Sequence, residues 1–284
     1  MANEPRLRSE DHRAWDTWRR TAALHGLTAA HRRVVDNAKR VIDIALKQAP
    51  NSSVMWSCGK DSTVMTHLIR VEMGIKLPVF SEKDDLDYPG EREYAASLAA
   101  GWDLDLRILT PDVSPSQWLT EHAHELEVCA DFHSRAAGLS RACFYDVVEK
   151  ANAGFDGLFL GLRQEESAGR SVDRATHYAT INGRLVLDLY QRRGGANPGQ
   201  WRGTPLGGWK GIDVYAYAET HGIELLPLYR CIAFMHSREP WRIRKSWWIP
   251  GASSRMGGAA WLVHYYPSLF AKLRGWFPAA DVYR

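Results

Sequence analysis

The sequence predicts an α/β fold, a parallel twisted sheet with helices on both faces, followed by an aromatic-rich C-terminal extension. Three observations predict it. Short apolar runs alternate with helix-patterned segments between residues 53 and 161, the rhythm of a parallel sheet covered by helices. A tight polar turn, Ser57-Cys58-Gly59-Lys60-Asp61-Ser62, joins the first apolar run to the helical pattern after it. A second polar segment, Gly161 to Arg170, follows another such run. Open α/β sheets bind ligands at these places, beyond the carboxyl ends of their strands.

The elements follow in chain order. Residues 1–50 form an N-terminal helical region, with helices expected over Asp11–Leu24 and Thr28–Lys47. The second carries Val34, Val35, Ala38, Val41, Ile42 and Leu46 at helical spacing. Residues 51–230 form the α/β domain. Strands are expected at Ser53–Trp56, Leu77–Phe80, Leu104–Leu109 and Leu158–Gly161, and helices at Thr63–Met73, Gly90–Ala100, Trp118–Glu127 and Ala142–Ala151. Asn182-Gly183 between His177–Ile181 and Arg184–Leu189 signals a hairpin. Arg192 to Gly208, rich in Gly, Arg and Pro, reads as a loop, and Gly211–His221 as a helix. Residues 231–284 form the extension. From His236 onward it holds five of the twelve tryptophans.

Composition narrows the functional classes. The chain of 284 residues is 45% hydrophobic and 24% charged, ordinary for a globular protein. A net charge of +3 gives no global electrostatic case for nucleic acid. No segment reaches the apolar length of a membrane span, and Met1–Arg20 lacks the apolar stretch of a secretory signal. Cys58, Cys129, Cys143 and Cys231 are scattered without a Cys-x-x-Cys pair. That argues against an iron–sulfur cluster or zinc clip, and for reduced thiols in a cytoplasm.

The turn after the first strand carries the chemistry. Backbone N–H groups and the positive end of a helix dipole meet there, and they favour an anion. Ser57, Ser62 and Lys60 add hydroxyls and a cation, which suits phosphate or pyrophosphate. A Walker A loop is excluded by spacing, because Val54 stands where its first glycine belongs and Asp61 where its Ser/Thr belongs. Downstream, Arg163 and Arg170 offer guanidinium forks for phosphate or sulfate oxygens, with Glu166 between them to orient one or share a metal. Asp84 and Asp85, with Asp87 and Lys83, offer hard oxygen ligands suited to Mg²⁺. A solvated acidic loop explains the same residues equally well. His236–Trp248 interleaves cations with aromatics, a pattern that suits base stacking or core tryptophans with snorkelling arginines. His122 and His124 do not share a helix face, which discounts a metal there.

The Ser-Cys-Gly-Lys-Asp-Ser turn resembles the pyrophosphate-binding loop of the ATP pyrophosphatases, the adenine nucleotide alpha-hydrolase-like superfamily. Cys58 replaces the middle glycine of the usual form. A side chain there is expected to need a negative φ or a phosphate slightly farther out. Gly-x-Arg-x-x-Glu-Ser-x-x-Arg over residues 161–170 resembles the arginine motif of the phosphoadenylyl-sulfate (PAPS) reductase branch. Pro205-Leu206-Gly207-Gly208-Trp209, Asp213-Val214-Tyr215-Ala216-Tyr217 and Leu226-Pro227-Leu228-Tyr229 resemble that branch's later motifs. Two features depart from it. The Thr-Gly part of the second-strand motif is missing around residues 82–91. The catalytic Glu-Cys-Gly-x-His tail is also missing, the last cysteine being Cys231. The label "reductase" is therefore expected to misdescribe the chemistry.

The resemblance implies a Rossmann-like nucleotide fold. ATP would sit with its β- and γ-phosphates on Ser57, Cys58, Gly59, Lys60, Asp61 and Ser62. Adenine would meet the backbone near Phe80 and Ser81. Arg163, Glu166 and Arg170 would grip the acceptor or α-phosphate, and Trp209 would stand at the site rim. Asp213 would cap its helix. The catalytic set is Lys60, Asp61 and Arg163, with ATP and Mg²⁺ (at Asp84 and Asp85) as cofactors. The leading expectation is ATP cleavage between the α- and β-phosphates to adenylylate a small-molecule or nucleic-acid acceptor. Thiol-dependent sulfur transfer from a PAPS-type nucleotide, through Cys58 or Cys231, is the second reading. A binding module without turnover is the third. Acceptor and oligomeric state stay open, a homo-oligomer included.

Overall fold

A computed structural model describes residues 4–127, 141–166, 178–233 and 258–283. Two helices open the chain, α1 (Ser9–Gly26) and α2 (Ala29–Gln48). Thr28 caps the second by accepting the His31 N–H at 3.1 Å. Its buried stripe Ala38, Val41, Ile42 and Ala45 repeats at helical spacing and faces the core.

Strand and helix then alternate: β1 (Ser52–Met55), α3 (Lys60–His67), β2 (Pro78–Glu82), α4 (Glu91–Trp102) and β3 (Asp105–Leu109). Helix α3 runs into a wider π turn over Leu68–Glu72. Next come α5 (Pro115–Glu127), α6 (Asp146–Ala151) and β4 (Gly157–Phe159). Strands β5 (Tyr178–Ile181) and β6 (Arg184–Leu187) form a separate hairpin. Asn182 and Gly183 turn it at φ of 52° and 74°, the left-handed values such a turn requires. The chain continues through β7 (Leu189–Gln191), β8 (Trp201–Gly203), α7 (Gly211–Thr220), α8 (Gly258–Tyr265) and α9 (Pro267–Trp276).

The main sheet has the order β3-β2-β1-β4-β8-β7, parallel except for β7 against β8. Successive strand residues point to opposite faces, and both faces are covered. Val54, Val79 and Phe159 enter the main core, while Met55, Phe80 and Leu158 pack with Val148 of α6 on the other side. β1 is therefore buried at every position.

The expected loop over Arg192–Gly208 is corrected, because it contains β8. That strand is only three residues long and ends in glycine, so it shows no apolar run. The glycine is needed: a Cβ at Gly203 would lie 2.8 Å from the Phe159 ring.

The C-terminal aromatics Trp261, Tyr265, Phe270 and Phe277 join the same core as the sheet. Asp11 fastens this region. Its Oδ1 accepts the N–H groups of Ile232 at 3.1 Å and Ala233 at 2.8 Å and the Tyr265 hydroxyl at 2.6 Å. Its Oδ2 accepts the Arg8 N–H at 2.9 Å. The Trp/Arg segment 236–248 lies outside the described residues. Among those described, no helix is long and apolar enough to cross a membrane.

Candidate phosphate-binding site

The chain leaves β1 toward β2 and β3 on one side of the sheet and reaches β4 on the other. Strand order reverses between β1 and β4, and that opens a crevice at their carboxyl ends. Ser57–Ser62 leaves β1 and Gly161–Glu166 follows β4. The two turns touch: a Cβ at Gly161 would lie 2.7 Å from the Ser62 backbone.

The Ser57–Ser62 turn is tied by its own hydroxyls. Ser57 Oγ and Ser62 Oγ are 3.0 Å apart. Ser62 Oγ accepts the Ser57 N–H at 3.2 Å and donates to the Gly59 carbonyl at 3.1 Å. Gly59 N-caps α3, with Lys60, Asp61 and Ser62 in its first turn. The Lys60 N–H donates to the Tyr229 hydroxyl at 2.9 Å, so the Leu-Tyr motif braces this turn from behind.

Cys58 corrects an expectation. Its φ is +57°, the left-handed value that favours glycine, and the residue nonetheless carries a side chain. The thiol is buried between strand ends, with Lys83 Nζ 3.0 Å from Sγ and Ser81 Oγ 3.9 Å away. Lys83 thus sets a cation at this sulfur. Lys83 Nζ also donates to Glu91 Oε1 at 2.5 Å, and both groups are buried.

A chain of buried charges links the two turns. Lys60 Nζ donates to Asp61 Oδ2 at 2.8 Å, and Arg163 Nε donates to Asp61 Oδ1 at 2.5 Å. Arg163 Nη1 continues to Glu165 Oε2 at 2.8 Å, which also accepts the Gly211 N–H at the start of α7 at 2.5 Å. Glu166 Oε2 accepts the Arg163 N–H at 3.1 Å. Lys60 and Arg163 are each only 1% exposed. Burial pushes the Asp61 carboxyl up, but Lys60 and Arg163 outweigh it and hold the group below the usual carboxylate range. Burial opposes the Arg163 charge, and Asp61 and Glu165 more than restore it.

Other predicted residues fall into three places. Phe80 and Ser81 are buried at the end of β2, with the Phe80 ring edge-on to Phe155 at 5.6 Å. Trp209 is corrected from a rim position: it is 2% exposed and packs against His31 and Tyr217. Just beyond it, Asp213 caps α7 by accepting the Lys210 N–H at 2.8 Å. Asp84 Oδ1 accepts the Leu86 N–H at 2.7 Å, and the exposed Asp85 hydrogen-bonds the Ser116 hydroxyl. Among the described residues, the group of potential metal ligands that converges is His25, His31 and Asp213, not these two aspartates. Asp84 and Asp85 are held in these local loop contacts. Arg170 lies outside the described residues. Glu165, Tyr229 and Glu91 were not singled out as site residues from the sequence. Only Tyr229 carried a signal, as the last residue of the Leu-Tyr motif.

Residues 51–232 match the phosphoadenosine phosphosulfate reductase domain. The chain belongs to this family. Among curated relatives, sulfate adenylyltransferase subunit 2 of Agrobacterium fabrum is 26% identical over 192 residues, covering 63% of this chain and 57% of the relative. The protein of the same name from Geotalea daltonii is 25% identical over 201 residues, covering 66% and 64%. The chain thus spans less than two thirds of the length of these relatives. A solved PAPS reductase from Candida auris is similar at a TM-score of 0.48 and 14% identity, covering 70% of this chain and 89% of that one. An FMN adenylyltransferase from Candida glabrata is similar at a TM-score of 0.47 and 14% identity, covering 76% and 67%.

Proposed function

We propose that this family member is an adenylyltransferase-type enzyme that cleaves ATP between the α- and β-phosphates. An acceptor oxygen attacks the α-phosphorus in line. The new acceptor O–P bond forms, the bond from Pα to the bridging oxygen breaks, and pyrophosphate leaves with its electron pair. The observation that carries this reading is the pairing of the Ser57–Ser62 turn with the Lys60–Asp61–Arg163 array across the β1/β4 crevice. The turn's hydroxyls, which bond within the turn, would rotate out of those bonds to meet a leaving pyrophosphate. The array supplies two fixed cations on one carboxylate, a preorganised field for charge that builds as the bond breaks. Magnesium, if carried in on the triphosphate, would supply charge compensation for its oxygens.

Asp61 holds the two cations in place. With its carboxyl below the usual range, it stays ionised near neutrality and is a poor base. Sulfate is the acceptor suggested by the name of the curated relatives. The thiol-transfer reading is weakened by burial, since Cys58, Cys143 and Cys231 are all buried. Burial raises the Cys143 thiol to about 12 and pushes the Cys231 thiol higher still, so neither is a ready nucleophile.

The test is pyrophosphate release from α- and γ-labelled ATP, with and without sulfate. The expected result is acceptor-dependent pyrophosphate with AMP carried on the acceptor. Binding of PAPS with sulfite release, or no binding of any adenine nucleotide, overturns the reading.

A further inference from the structure

A second constellation stands away from the phosphate turn. His25 lies in the last turn of α1, His31 in the first turn of α2 and Asp213 in the first turn of α7. Five residues lie between the histidines in sequence, and the bend at Leu27 and Thr28 folds them toward each other. The end of α1 packs close on α7, where a Cβ at Gly26 would lie 2.5 Å from Thr220 Cγ2. This approach carries both imidazoles to the same carboxylate oxygen. His25 Nε2 is 2.7 Å and His31 Nδ1 3.4 Å from Asp213 Oδ1. The three ligand atoms all lie within 4.8 Å of one another.

We propose that His25, His31 and Asp213 form a binding site for a divalent first-row transition ion, with zinc as the reference occupant. Two imidazole nitrogens and one carboxylate oxygen are a donor set for such ions, whereas magnesium and calcium take oxygen ligands. An ion bound about 2.0–2.2 Å from each donor fits among groups spaced as these are after small side-chain rotations. The surroundings are already ordered. Asp213 Oδ2 accepts the Lys210 N–H at 2.8 Å, which fixes the carboxylate plane while Oδ1 faces the histidines. The His31 and Asp213 side chains are 5% and 8% exposed, and His25 is 27% exposed. His25 is thus the entrance, and the open coordination position there falls to water. Trp209 packs edge-on to His31 at 5.9 Å. Its buried indole N–H has no hydrogen-bond partner among the described residues, a spare donor in the shell around the centre.

The position gives the ion a role. Helix α7 begins at Gly211, whose N–H is held by Glu165, the partner of Arg163. An ion on Asp213 pins the α1–α2 junction to the helix that anchors this end of the charge chain. The inference does not depend on the identity of the reaction at the Ser57–Ser62 turn.

The experiment uses full-length protein stripped with a chelator and titrated with Zn²⁺ and Co²⁺ alone, without nucleotide. One equivalent is expected to bind, with intense visible bands of low-coordinate cobalt and a raised melting temperature on adding zinc. His25→Gln, at the exposed ligand, should keep the wild-type circular dichroism and lose affinity by at least about a hundredfold, more than loss of an outer-shell partner costs. Asp213→Asn should lose it similarly. Substoichiometric binding, octahedral cobalt spectra, or affinity unchanged in His25→Gln overturns the site and leaves a hydrogen-bonded His–Asp–His cluster.

Discussion

Asp11 and Asp61 are both buried carboxylates, and their partners differ in kind. Asp11 is met by neutral donors, three backbone N–H groups and a tyrosine hydroxyl. Those donors come from the start of α1, the 232–233 segment and α8, so one carboxylate closes the N-terminal region onto the C-terminal extension. Asp61 is met by two cations from the ends of neighbouring strands. Neutral donors around a carboxylate make a structural knot. Two cations around one, with Arg163 paired also to Glu165, make a buried charge network that fixes an ammonium and a guanidinium at the crevice. Asp11 holds distant parts of the chain together, whereas Asp61 fixes the cations of the candidate site.

The sharpest way to break that contrast is Lys60→Ala. Asp61 keeps Arg163, so the fold should survive. Turnover is expected to fall about a hundredfold to a thousandfold, the cost of deleting one preorganised donor. Steady-state pyrophosphate release checks it, and full activity in this variant would remove the phosphate role from the turn. Asp11→Ala should do the reverse. It strands several buried donors and is expected to cost about 3 kcal/mol of stability, read by urea denaturation. The rate per folded molecule should stay at the wild-type value.

Gly161→Ala tests the seam between the two turns. The added methyl would press on the Ser62 backbone at 2.7 Å, and such overpacking costs about 1–3 kcal/mol. The loss should appear in ATP affinity as well as in denaturation, because both sides of the crevice must shift.

The smallest effect belongs to His67, behind the site on α3. Burial first, and His221 second, lower its titration from 6.5 to about 4. The unfolded chain therefore takes up a proton below pH 6.5 that the native state refuses. This contribution to stability is complete above that pH and is lost as pH falls toward about 4. His67→Gln should flatten that part of the stability–pH curve, measured as the difference between the two proteins' melting temperatures.

Much of the sheet was legible because its signals are local. The apolar runs at β1, β2, β3 and β4 and the Asn182-Gly183 turn each announce themselves within a few residues. β8 did not, because a three-residue strand ending in a required glycine carries no period. The strand-to-helix turn was legible from its six residues, but its supports were not. Glu165 reads as one acid among several until the fold brings Gly211 and Arg163 to it. Asp11 lies 221 positions from Ile232, and no local pattern encodes that partnership. The thiol at Cys58 was visible, but the cation beside it was not, because the parallel pairing of β1 with β2 is what delivers Lys83.

Main chain meets main chain where Gly161 rests on Ser62. No side chain of Gly161 lies between the Ser57–Ser62 turn and the segment that carries the Arg163 guanidinium, so the two are geared like meshed teeth. Their relative placement is set by the sheet, and on the proposed reading a nucleotide that fills the crevice need not spend binding energy on bringing its walls together.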